Sequence, residues 1–174
     1  MIQLDELLKR AEELFKNAKY SDLIELLPAN VLTLYKSAQL YILSAAGYYH
    51  LNQLEKVLPL IEKSLEIEIN ARAIRLRASY YADTGQIEKA ISDYNLAIDL
   101  DPLNADGYYN RATFWFDQHN YIKAIEDYDR VLELNSKDVD VYTNRGLSFL
   151  EIGRVNEAFA DLQKAIELSP SDPN

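Results

Sequence analysis

The chain has 174 residues, 48% of them hydrophobic, which is enough for one domain of ordinary size with a substantial buried core. Its net charge of −10 disfavours nucleic acid and anionic membrane surfaces as partners, because phosphates would be repelled. With no cysteine it has no disulfide, no thiolate metal site and no Cys nucleophile. The stretch from Met1 to Glu6 lacks a basic region followed by an apolar one, so no secretory signal is visible, and no window is long and apolar enough for a membrane span. A cytoplasmic location without membrane insertion is the default expectation, whether the chain is whole or excised from a longer one.

Taken in chain order, helices are predicted over Leu4–Asn17 and Ser21–Leu27, with Ser21 as N-cap and Pro28 as the stop. Asn30–Leu51 reads as one unbroken helix. A second helix follows, with Pro59 in its first turn, where a missing N–H is tolerated. In Arg72–Thr84, Ile74, Ala78 and Tyr81 recur at helical spacing until Gly85 ends the run. Ile87–Leu100 carries a stripe of Ile87, Ala90, Ile91, Tyr94, Ala97 and Ile98, stopped by Asp101-Pro102. Asn104 is placed to cap the next helix. The same grammar predicts helices near 106–118, 121–134, 140–152 and 155–168.

The second half copies itself every 34 residues. When 71–104, 105–138 and 139–172 are superimposed, Ala78, Ala112 and Gly146 fall in step, as do Ala90, Ala124 and Ala158. Bulky residues coincide at Tyr81, Trp115 and Phe149 and at Tyr94, Tyr128 and Leu162, and the blocks close on Pro102, Ser136 and Pro170. Such a period marks stacked helical units that bury a shared core. The small residues belong where two helices cross closely. Arg77, Arg111 and Arg145 are each followed sixteen residues later by Asp93, Asp127 and Asp161, which predicts structural ion pairs across each antiparallel helix pair.

These blocks resemble tetratricopeptide repeats, with Tyr108–Ala112 and Tyr142–Gly146 similar to a common first helix and Ala124–Tyr128 to a common second helix. The resemblance implies an all-α fold, a right-handed superhelix or α-α solenoid of antiparallel helix hairpins. It divides the chain into a degenerate N-terminal repeat or cap (1–36), a divergent repeat (37–70) and three regular repeats (71–104, 105–138, 139–172) in one continuous domain. Within 37–70, Tyr48-Tyr49 aligns with Tyr80-Tyr81 if the turn near Asn52 is one residue shorter, and Gln53–Val57 aligns with Gln86–Ala90.

The residues offer little chemistry. His50 and His119 are the only histidines, at the ends of first helices, and neither has a partner at metal-ligand spacing. His119 takes the turn position of Gly85 and Gly153. Asp99-Leu100-Asp101 is followed by Pro102 and Leu103, which break a calcium-loop pattern. The five glycines are scattered, so there is no phosphate-cradling loop. No enzyme activity, cofactor or metal is expected.

Binding is the positive expectation. The resemblance implies a concave groove lined by first helices, mapped here to Arg72, Arg75, Leu76, Ser79, Tyr109, Asn110, Thr113, Phe116, Asn144 and Leu147, with Asp106, Thr143, Leu150 and Asp140 beside them and an acidic row of Asp83, Asp117 and Glu151 along one edge. A protein or peptide partner would lie there. The carboxylate clamp of some relatives fits poorly, since Asp140 stands where a Lys is needed and Asn144 where a cation is needed. The alternative is self-association, or packing within a larger parent chain, through the last helix, whose Val155, Phe159, Leu162 and Ile166 form an apolar stripe that no later helix covers.

Overall fold

The structure, a computed structural model, describes residues 3–169. Among these residues every regular element is helical. The chain divides into two compact units, Met1–Ala97 and Ile98–Asn174, with the boundary inside α7. The first unit contains α1 (Leu4–Lys16), α2 (Tyr20–Leu26), α3 (Ala29–Tyr35), α4 (Ala38–His50), a 3-10 turn (Leu54–Lys56), α5 (Val57–Ile67), α6 (Ala71–Asp83) and most of α7 (Ile87–Leu100). The second contains α8 (Ala105–Asp117), α9 (Tyr121–Leu134), α10 (Val139–Glu151) and α11 (Val155–Leu168). Within the units, α1 packs with α2, α4 with α5, α6 with α7 through Arg77 and Asp93, α8 with α9 and α10 with α11, the helix hairpins that the resemblance implies.

Local chemistry sets the helix ends. The side chains of Asn70, Asn104, Asn120 and Asp138 accept from the backbone N–H of Ala73, Asp106, Lys123 and Val141, satisfying donors that the first turn leaves open. The first helix of each hairpin closes on a left-handed residue: Ala18, Asn52, Gly85, His119 and Gly153, with φ from 54° to 78°. At Gly85 the N–H donates to the Ala82 carbonyl (3.0 Å) and the next N–H, of Gln86, to the Tyr81 carbonyl (2.8 Å), the paired bonds of a Schellman stop. The same pair of bonds recurs at Ala18, Asn52, His119 and Gly153. His119 is thus a turn residue, as its register predicts.

Three sequence expectations are corrected. Asn30–Leu51 is not one helix: α3 ends at Tyr35, Lys36 adopts φ +48°, and Ser37 accepts from the Leu40 N–H to start α4. A single left-handed residue breaks the i→i−4 ladder even where apolar periodicity continues. Ser21 does not cap α2, which starts one residue earlier at Tyr20 after Lys19, with no side-chain cap bond. The turn at Asn52 keeps its full length, so Tyr48, not Tyr49, corresponds to Tyr81. Lys56 sits over the Tyr48 ring (4.8 Å) as Lys89 sits over Tyr81 (5.1 Å) and Lys123 over Trp115 (4.2 Å). The missing residue lies instead between α5 and α6, where three residues (68–70) replace the four at 101–104 and 135–138. Pro59 is the third residue of α5, in the first turn as expected. Pro170 and the segment after Ser169 lie outside the described residues.

The core is made of small and large residues in alternation. In the first unit Leu7, Ala11, Leu23, Leu27, Leu32, Leu40 and Leu43 pack together, followed by Ile42, Ala45, Val57, Ile61 and Ala73. In the second, Ala112 and Ala124 are fully buried among Tyr108, Tyr128, Val131 and Val141. Gly146, in the Ala78 and Ala112 register, sits at a tight crossing: a Cβ there would lie 3.0 Å from Leu162 Cγ, so Leu162 would have to give way.

The three ion pairs form as bidentate forks. Arg77 Nε and Nη2 donate to Asp93 at 2.6 and 2.9 Å, Arg111 to Asp127 at 2.8 and 2.7 Å, and Arg145 to Asp161 at 2.7 and 2.7 Å. Arg145 also reaches Asp129 (2.6 Å). Asp93, Asp127 and Asp161 are buried, whereas Asp129 is exposed. In the second hairpin Ser44 and Leu60 hold these two positions. Ser44 is fully buried, and its hydroxyl has no hydrogen-bond partner among the described residues.

Candidate functional site

The residues expected to line a groove fall in both units, and each unit has its own arrangement. In the second unit, α8 and α10 present Tyr109, Asn110, Thr113, Phe116, Asn144 and Leu147 in the repeating register of a first-helix face. Asn144 Nδ2 donates to the Tyr109 hydroxyl (3.2 Å). Thr113 Oγ1 donates to the Tyr109 carbonyl (3.1 Å) and lies 3.5 Å from the Tyr128 hydroxyl. Tyr109 and Tyr128 meet edge to face at 6.1 Å. Three of the six residues therefore join one hydrogen-bonded cluster whose fourth member, Tyr128, comes from the second helix of the hairpin. Burial pushes the Tyr128 phenol up to about 12. The Tyr109 phenol is also raised, by burial first and by the negative charge of Asp140 second. Both stay neutral and serve as hydrogen-bonding surfaces rather than as bases.

Phe116 is half-buried, edge to face with Tyr121 (5.3 Å) and packed on the core, so it is as much a core residue as a surface one. Asn110 is half-buried on α8, and Leu147 is 40% exposed on α10. The row of acids holds its register at the ends of first helices, and Asp83, Asp117 and Glu151 are all exposed.

In the first unit, Ser79 repeats the Thr113 arrangement: its hydroxyl donates to the Arg75 carbonyl (3.3 Å) and lies 3.2 Å from the Tyr94 hydroxyl. The Arg72 guanidinium lies over the Phe15 ring (5.6 Å) and Arg75 is half-buried. Leu76 packs against the core of Ile42, Val57 and Ile61. Tyr49 donates to Asp83 (2.5 Å), and its phenol is raised far above the ordinary range by burial and by that carboxylate. A cleft of about 220 Å³ between the starts of α4 and α6 is lined by Gln39, Glu68, Asn70 and Arg72, among others. It is smaller than the pockets that enclose drug-sized ligands.

The sequence reading missed the hydroxyls of Tyr94 and Tyr128, taking both residues as packing. The signal was present: a hydroxyl residue precedes each tyrosine by fifteen positions in the third and fourth blocks (Ser79 and Tyr94, Thr113 and Tyr128), and both members become Leu147 and Leu162 in the last. Among the described residues, no group of three or more His, Asp or Glu side chains is arranged to hold a metal ion. None of the described helices is long and apolar enough to cross a membrane.

The comparisons agree with this repeat grammar. The family description "Tetratricopeptide repeat" matches residues 105–138 and again 139–172, and "TPR repeat" matches 72–114. The chain belongs to the tetratricopeptide-repeat family. No curated protein matches it in sequence. Among solved structures it is similar to MamA, with a TM-score of 0.74 at 18% identity, covering 97% of this chain and 95% of that one. It is also similar to YrrB, described as "a TPR protein with an unusual peptide-binding site", with a TM-score of 0.67 at 16% identity over 96% and 87% of the two chains. A third is the C-terminal part of a TPR repeat-containing protein from Cytophaga hutchinsonii, with a TM-score of 0.74 at 24% identity over 94% and 65%. At these identities the likeness is one of fold.

Proposed function

We propose that this tetratricopeptide-repeat chain is a non-catalytic interaction module that binds a protein or peptide on the first-helix faces of its units. The observation that carries the reading is the Tyr109, Thr113, Asn144 and Tyr128 cluster. It is a fixed, neutral, hydrogen-bonding surface beside the exposed apolar Leu147, the mix of anchored aromatic and polar groups that recognises polypeptide. The peptide-binding site named for YrrB supports the same class of partner. The net charge of −10 supports protein rather than nucleic acid. The test is capture and cross-linking of partners from source lysate with the wild type, with Asn110→Ala/Asn144→Ala in the second unit and with Arg72→Glu/Arg75→Glu in the first, all matched for helicity and melting. Loss of one cross-linked partner from either variant is the expected result. An identical captured set from all three proteins refutes the reading.

A specific observation also favours association through α11. In α9, Ile125, Tyr128 and Leu132 are 7%, 1% and 9% exposed, beneath the following hairpin. Their counterparts on α11 are Phe159, Leu162 and Ile166, and Phe159 and Ile166 are 68% and 76% exposed, with Val155 at 61%. Light scattering over a concentration series, with Phe159→Ser as control, tests whether this face joins two copies. A mass of one chain throughout rules that out.

A further inference from the structure

The exposed stripe of α10 has a chemistry that narrows the partner. At 100° per residue, Asp140, Asn144, Leu147 and Glu151 fall within one narrow sector, with Thr143 and Leu150 beside it. Leu147 and Leu150 are 40% and 44% exposed, in the half of the stripe nearer Glu151. Asp140 and Glu151 stand exposed at its two ends, eleven residues and so about 16 Å apart. Asn144 is held in this stripe by an N–H donated to the Tyr109 hydroxyl (3.2 Å). Tyr109 and Tyr121 both feel the field of these acids, Tyr109 that of Asp140 and Tyr121 that of Glu151.

Most cations of this unit are engaged elsewhere, while Lys137 stands exposed in the turn that precedes α10. Arg145, on the other side of α10, forks onto Asp161 and reaches Asp129. Arg111 is paired with Asp127, Arg130 with Glu133, Arg154 with Glu157 and Lys164 with Glu167, and Lys123 sits over Trp115. The stripe therefore carries a carboxylate near each end, with the two exposed leucines between them and close to Glu151. An acidic peptide or a terminal carboxylate would meet like charge there. A segment with cationic side chains at both ends would gain two opposite-charge contacts and cover the two leucines.

Resting on the first-helix-face reading, we infer that the segment bound across α10 is a cationic peptide in which two Lys or Arg residues flank an apolar one. The cations would meet Asp140 and Glu151, and the apolar residue would meet Leu147 and Leu150. The span is bridged by residues four or six apart in an extended chain, at roughly 3.3 Å each, an even separation that keeps both cationic side chains on one face.

The test is selection of a phage-displayed random twelve-residue library on the full chain, followed by fluorescence anisotropy of synthetic copies of the enriched peptides. Two variants accompany it, Asp140→Lys/Glu151→Lys and Leu147→Ser/Leu150→Ser, all four positions being exposed and both proteins checked for unchanged helicity. The expected result is enrichment of sequences with two basic residues around an apolar one. Their affinity should fall about tenfold or more in the charge variant and weaken as salt is raised. Enrichment of neutral or acidic peptides that bind the charge variant equally but lose binding to Leu147→Ser/Leu150→Ser overturns the inference and leaves the first-helix-face reading standing. No enrichment, or peptides indifferent to both variants, overturns both for this unit.

Discussion

Replacing Arg111 with Met should destabilise the second unit by about 3 kcal/mol. The side chains of Arg111 and Asp127 are 21% and 7% exposed, and two short hydrogen bonds join them. Removing the arginine strands a buried carboxylate, a change that costs roughly 3–5 kcal/mol when burial is complete. The residual exposure on the arginine side admits some water and argues for the lower end. Removing the aspartate instead, as Asp127→Leu, leaves a cation with a long stem that can turn toward solvent, and should cost about 1–2 kcal/mol. The double variant Arg111→Met/Asp127→Leu should recover most of the loss, because an apolar pair of similar volume replaces an ion pair whose desolvation offsets much of its attraction. Trp115, the single tryptophan of the chain, lies in α8 four residues from Arg111. Its fluorescence during urea unfolding reports on this unit, and the four proteins form a double-mutant cycle. A loss below 1 kcal/mol for Arg111→Met would refute the reasoning and put the pair with exposed ones such as Lys63 and Glu66, whose side chains are 56% and 61% exposed.

Three further outcomes are expected. Ala112→Leu should cost about 1–3 kcal/mol, because Ala112 is 0% exposed between Tyr108, Ala124 and Tyr128. Thermal melting checks it, and an unchanged Tm would show that the crossing has slack. Gly153→Ala should destabilise by about 1 kcal/mol through backbone strain alone, since φ is +78° and nothing lies within 4 Å of the added methyl, whereas Ala18→Gly should relieve the same strain at φ +54°. Opposite signs in the two melting shifts are the check. His50 stacks on Tyr20 (4.4 Å between centroids) and touches Phe15 and Tyr49, and this partial burial holds its pKa below the ordinary value. The unfolded chain therefore binds the proton first as pH falls, so stability should be full above about pH 6.5 and decline below it. A His50→Gln variant whose Tm falls just as much between pH 7 and pH 5 would show that this ring is not responsible.

How much was legible differs between the halves of the chain. From Ala71 onward the period, the cap at Asn104 and the Arg-to-Asp spacing of sixteen were visible because each is a local or single-hairpin constraint. The break at Lys36 was not visible. A lysine in the left-handed region carries no compositional mark, and the apolar pattern runs through it. The residue missing from the second block was placed in the wrong loop, because the tyrosine pair at 48–49 offered two alignments. The left-handed turn at Asn52, equivalent to Gly85, and the lysine stacked over one ring of each repeat separate them. In the candidate site, Tyr109, Thr113 and Asn144 were found from their register, but the hydroxyl that links Thr113 to the second helix was hidden in a tyrosine whose ring is part of the core.

The sequence by itself determined the family, the hairpin as the building unit, the helices from 71 to 168 and the small residues at the crossings. All of these follow from periodicity, capping and turn chemistry that act within a few tens of residues. The sixteen-residue spacing also paired the arginines at 77, 111 and 145 with their aspartates. The tertiary structure alone decided that Arg145 reaches Asp129 as well, that the Thr113 hydroxyl lies 3.5 Å from that of Tyr128, and that Asn144 donates to Tyr109 in the preceding hairpin. Such links depend on distances between helices, which a linear pattern of side chains does not contain.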